Sequence, residues 1–121
     1  MTTGLTIPDP EALEDIFDLE DPEDCEMLKE LYQHFLVEGM DQLRRLSALM
    51  ELGRLHEVDE IAHSLKSSFG NVGLRESSAL CSQIMEHSRV GDESATREGV
   101  LRLGSLMDDM EVGIRAFMQR L

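Results

Sequence analysis

Apolar residues recur at alternating steps of three and four along the last part of this chain: Val100, Leu103, Met107, Met110, Ile114, Phe117 and Leu121. That is the inward stripe of a bundle helix, and it predicts one helix filling the sequence after a Gly91-Asp92 turn. Gly104 and Gly113 fall within it, each weakening the helix by about 1 kcal/mol against alanine unless packing overrides the cost. A second stripe, Leu28, Leu31, Tyr32, Phe35, Leu43, Leu46 and Met50, has one wider gap that Gly39 fills. It predicts a helix opened by Asp21-Pro22, a capping carboxylate ahead of a proline at the first helical position, and closed by Gly53. Such a helix holds about 30 residues and reaches about 45 Å. Between the stripes lie a third helix, residues 55–71, with Gly70 and Gly73 bracketing its end, and a fourth, residues 74–90, with Ser77, Leu80, Cys81, Ile84 and Ser88 along one side. Asp9-Pro10 repeats the cap signal and starts a short helix that ends near Leu19, while residues 1–9 read as a flexible tail.

Four helices with short connections predict an all-α fold, an up-down antiparallel four-helix bundle in a single domain over residues 10–121, with the short extra N-terminal helix across one end. The competing architecture is a long homodimeric coiled coil, which the last stripe alone would support. Only three prolines occur, all before residue 23, so nothing breaks the later helices. There is no internal repeat and no low-complexity segment.

Charge narrows the function classes. Acidic residues number 25 against 11 basic ones, a formal net charge of −14. Nucleic-acid and anionic-lipid partners both need a cationic footprint, so neither is expected. No stretch has the roughly 20 apolar residues of a membrane span, and the start MTTGLTIPDPEALEDIF has neither the basic opening nor the apolar run of a signal peptide. Two cysteines, Cys25 and Cys81, are too few for a disulfide framework. A cytoplasmic monomer with reduced thiols is the expectation.

Candidate chemistry sits on the third helix. With about 100° per residue, Lys66 falls about 60° to one side of His63, Ser67 about 40° to the other, and Gly70 about 20° away. Ile61, Leu65, Phe69 and Val72 fall on the opposite face, so His63 points away from the core. An outward imidazole with a cation one turn on and cleared space beside it suits a nucleophile for a phosphoryl group. The chain has only two lysines, Lys29 and Lys66, against nine arginines, so general lysine richness does not place one beside His63. Spacing alone leaves open that His63 is one more polar residue on a solvated face. His56 shares the face as a solvated neighbour, and His34 and His87 read as surface residues. Glu60-Ile-Ala-His63 matches one Glu-x-x-His element of a di-iron bundle, but such a site needs two, with both facing inward.

The segment AHSLKSSFGNVGL, residues 62–74, resembles the signature of the histidine-containing phosphotransfer (Hpt) domain family. The pattern runs histidine, any residue, leucine, lysine, glycine, two small residues, three further residues and glycine. His63, Leu65, Lys66, Ser68 and Gly73 match it; Phe69 stands where a second small residue is common. Ile84-Met85-Glu86 resembles the family's hydrophobic-then-Glu element on the next helix. The departure is Ser67, where the family usually has glycine.

The resemblance implies a four-helix bundle of about this length that carries phosphoryl groups in a phosphorelay. His63 would accept the group from a receiver-domain aspartate and pass it to another receiver, with Lys66 offsetting phosphoryl charge. Ser67, Gly70, Gly73, Arg75 and Arg89 would line the binding face. The partners implied are response-regulator receiver domains and a hybrid sensor histidine kinase. The Mg²⁺ of the reaction would belong to the receiver, and the chain itself would hold no cofactor. No P-loop is present, so no kinase activity is expected. The alternative is a bundle with an idle histidine, an adaptor that binds or sequesters a receiver; Ser67 keeps it open.

Overall fold

Both Asp-Pro signals open helices. In the computed structural model, which describes residues 3–121, the Asp9 carboxylate accepts the Glu11 backbone N–H and the Asp21 carboxylate that of Glu23, each at 3.0 Å. They cap α1 (Pro10–Glu14) and α2 (Pro22–His34). The first helix stops well short of Leu19 because acidic side chains capture the following backbone. Asp18 gives its N–H to the Asp24 carboxylate at 2.7 Å, and its own carboxylate accepts that of Glu20 at 3.0 Å.

The long second helix divides. After α2 comes a single π turn, Phe35–Gly39, and then α3 (Met40–Glu51). Buried positions run Leu28, Tyr32, Phe35, then Gly39-Met40, Leu43, Leu46 and Met50. A uniform helix would reach its core face one residue earlier after Phe35, and the wider π turn absorbs the extra residue. Glycine is required there: a Cβ on Gly39 would stand 2.6 Å from the Phe35 ring.

The remaining helices are α4 (Leu55–Asn71), α5 (Arg75–Arg89), α6 (Glu93–Ser105) and α7 (Met107–Met118). The single last helix expected from the apolar stripe is interrupted at Leu106, whose N–H bonds back only three residues, to Leu103 O at 3.1 Å. The stripe is consumed inside the chain: Val100, Leu103, Met110, Ile114 and Phe117 are all buried against other helices. Contacts between α3 and α4, α4 and α5, α5 and α6, and α6 and α3 close a ring of four helices around one core. The π turn lies against α4, and α7 lies against α2, where Phe117 meets Tyr32 edge-on with ring centroids 6.0 Å apart. Among the described residues no helix is long and apolar enough to cross a membrane.

Residues 3–9 are not a flexible tail. Leu5, Thr6, Pro8 and Asp9 are buried, and the segment forms a strap over the bundle end. Its anchor is the start of α5, whose N-cap, Leu74, supplies no side-chain acceptor. The Gly4 carbonyl takes the orphan N–H groups of Glu76 and Ser77, at 2.8 and 3.2 Å. Ser77 Oγ then donates to Leu5 O at 2.6 Å, and Asp9 N–H to Gly73 O at 2.9 Å. Met1 and Thr2, the rest of the expected tail, lie outside the described residues.

Candidate functional site

Helix α4 presents its faces as the spacing requires. Val58, Ala62, Leu65 and Phe69 are buried, while His63, Lys66 and Ser67 are exposed and Gly70 is half-exposed. Phe69 packs on Phe35 of the π turn, with centroids 5.5 Å apart. Tyr32 donates its buried hydroxyl to Val72 O at 2.7 Å, tying the end of α4 to α2. Burial holds that phenol well above its ordinary pKa, so it stays a donor.

On one flank of His63, Gln42 of α3 donates to Ser64 Oγ at 3.2 Å, and Ser68 Oγ donates to Ser64 O at 3.2 Å. On the other, Ser78 Oγ of α5 donates to Lys66 O at 2.9 Å. The outward ridge is therefore braced from both neighbours. Lys66 has no carboxylate within ion-pair distance among the described residues, which leaves its charge uncommitted. Burial pushes the Cys81 thiol up to about 12, with the Lys66 charge a weaker opposing influence. Cys81 is thus a packing residue and not a nucleophile.

The two arginines are differently placed. Arg75 pairs with Asp9 of the strap and lies 3.9 Å from Glu11. It starts α5, beside the end of α4, about 12 Å along the helix axis from His63. Arg89 pairs with Asp59 at 3.1 Å, and the same carboxylate accepts from Ser88 Oγ at 3.3 Å. Through Asp59, Arg89 is fixed about one turn before His63. Gly73 leaves the proposed binding face altogether. It is buried, and a Cβ there would stand 2.9 Å from Leu13 Cγ. Its φ of +83° makes it the glycine that ends α4 and admits α1. Gly70, by contrast, has nothing within 4 Å of a Cβ.

Two features escape the wheel. One is the brace Asp59-Ser88-Arg89, which joins separate helices. The other is a groove of about 360 Å³ beside the ridge, between the π turn and α4, with Leu31, Phe35, Gly39, Gln42, Ser64 and Ser68 among its walls. The wide gap at Gly39 in the apolar stripe is the signal that marks it. His56 lies on the same ridge, its Nε2 3.2 Å from Glu60.

The family model of the Hpt domain matches residues 30–113, more than two thirds of the chain. Comparison with curated proteins and with solved structures gives no match.

Proposed function

Because the chain belongs to the Hpt domain family, whose members carry phosphoryl groups in two-component signalling and are not kinases, we propose that it is a phosphorelay intermediate with His63 as acceptor. A receiver domain bearing an aspartyl phosphate docks on the α4 ridge. The unprotonated imidazole nitrogen of His63 attacks phosphorus, the bond from phosphorus to the carboxylate oxygen breaks, and aspartate leaves as its carboxylate. The proton on the other ring nitrogen is free to pass to solvent. Lys66 offsets charge on the phosphoryl oxygens, and a second receiver reverses the step. A hybrid sensor histidine kinase stands upstream, and the Mg²⁺ of the reaction travels with the receiver.

One observation carries this reading: an exposed imidazole on a braced helix, one turn from a lysine that no carboxylate among the described residues neutralises. The test is incubation with a receiver domain charged by acetyl phosphate. Acid-labile, base-stable label is expected on the wild-type chain and none on His63→Gln. An unlabelled wild-type chain that still binds the receiver overturns the reading in favour of an adaptor with an idle histidine, the alternative that Ser67 raises.

A further inference from the structure

Three serines line the flanks of the α4 ridge with their hydroxyls already engaged: Ser64 accepts from Gln42, Ser68 donates to Ser64 O, and Ser78 donates to Lys66 O. Ser67 differs. It is exposed, and among the described residues its hydroxyl has no hydrogen-bond partner. It also occupies the position at which the Hpt signature has glycine. A polar group introduced there and left unengaged is available to whatever the ridge carries.

Geometry says what that is. Side chains four residues apart on a helix are neighbours, with Cβ atoms about 5–6 Å apart, so Ser67 stands beside His63. Lys66 stands beside it on the other flank. Gly70, one turn further, adds no atoms over the gap, and nothing lies within 4 Å of where its Cβ would be. Helix termination does not explain Gly70, because Gly73 performs it. The space bounded by His63, Lys66, Ser67 and Gly70 therefore has an ammonium on one side, a hydroxyl on the other and an open roof.

We propose that Ser67 is a positioning residue for the phosphorylated state: its hydroxyl donates a hydrogen bond to a phosphoryl oxygen carried by His63, opposite Lys66. The inference rests on His63 being the acceptor. A phosphoryl group brings up to about two negative charges and three acceptor oxygens, and hydrogen bonds to ionised acceptors are the stronger class. A glycine supplies no such donor. No bond to Ser67 forms or breaks; its oxygen keeps the proton and the phosphorus–nitrogen bond stays intact. The donor stabilises the phosphohistidine over the free imidazole, so this carrier holds its group longer and yields it no faster than a chain with the family's glycine.

Phosphoramidate tests this without a protein partner. The imidazole attacks phosphorus, the phosphorus–nitrogen bond of the reagent breaks, and ammonia leaves. Full-length wild type, Ser67→Ala, Ser67→Gly and Ser67→Thr are phosphorylated, and decay of phosphohistidine is followed by ³¹P NMR and intact mass. His63→Gln subtracts label at His34, His56 and His87, and circular dichroism verifies folding. Alanine and glycine are expected to shorten the lifetime equally, by about three- to tenfold, the range of a net hydrogen bond. Threonine, which keeps the hydroxyl, is expected to restore it. A wild-type lifetime in Ser67→Ala overturns the proposal. So does a change in glycine alone, which would make bulk the cause, or label that turns acid-stable on Ser67, which would make it a nucleophile. No His63-dependent label overturns this inference together with the functional reading. A shortened lifetime in a chain that takes nothing from a charged receiver upholds the donor role and overturns only the relay.

Discussion

Two glycines within helices, Gly70 and Gly113, look alike to helix propensity, which favours alanine over each by about 1 kcal/mol. Their surroundings assign opposite signs. A Cβ on Gly70 meets nothing within 4 Å, whereas one on Gly113 would stand 2.1 Å from the Thr6 carbonyl oxygen of the strap. Gly70→Ala should therefore stabilise by about 0.5–1 kcal/mol. With an unfolding entropy of about 0.25 kcal/mol per degree for a chain of this size, the melting temperature should rise by about 2–4 °C. Gly113→Ala sets the same gain against a backbone collision that only displacement of the strap relieves. Displacement uncovers Leu5 and orphans the Glu76 and Ser77 N–H groups, a loss of about 3–4 kcal/mol from one apolar side chain and one helix cap. The net is about 2–3 kcal/mol of destabilisation, or a fall of about 8–12 °C. Urea and thermal melts of both variants, alone and in a chain lacking residues 1–8, make the check. In the shortened chain the collision is gone and Gly113→Ala should stabilise. A Gly113→Ala variant that melts at or above wild type in the full chain refutes the seated strap.

Lys66→Ala should slow acceptance from a charged receiver about tenfold, or about 1.4 kcal/mol, while His63 still labels; a wild-type rate makes the lysine a solvated bystander. Gly70→Leu should fold and yet transfer poorly, because its side chain would roof the space beside His63; normal transfer in stopped-flow assays removes close approach over Gly70 from the mechanism. Raised salt should weaken receiver binding little, since Arg75 and Arg89 are already paired within the chain and the net charge of −14 opposes an acidic partner; a steep titration against ionic strength would contradict this. The Cys81 thiol is protonated in the fold up to about pH 12 but only to about pH 9 when exposed. Its contribution to stability is therefore full below pH 9 and lost as pH rises from there toward 12. Melts from pH 8 to 11 should fall less steeply in Cys81→Ala, and parallel slopes would contradict the assignment.

The helices were legible because each carries its own period. The bounds of α4, its buried and exposed faces and the place of His63 on it all follow from spacing within one segment. What escaped lies between segments. The strap read as a tail because its residues have no periodicity; its order comes from carbonyls that meet the uncapped start of α5 some seventy residues later. Gly73 looked like part of the binding face because a signature records positions without saying which of them face outward. Arg75 and Arg89 read as available cations, since nothing in their own helix announces Asp9 or Asp59 as partners. The break at Leu106 leaves the apolar stripe intact and so was invisible in it.

The π turn at Phe35–Gly39 sets a phase relation. Ahead of it, α2 addresses α7 through Tyr32; beyond it, α3 turns Leu43, Leu46 and Met50 toward the core it shares with α4 and α6. Each half is in step with its own neighbour only because the turn carries one residue more than a uniform helix would. Taking one residue out of the turn would remove that surplus and leave an unbroken α-helix in the same phase, whereas taking one out of α2 or α3 would rotate a stripe by about 100° toward water. The longest rod in the molecule thus tolerates substitution along its exposed side, and a shortening at the turn, far better than a shortening of either half. The residue that keeps its halves in step is also the one that shapes the groove beside His63.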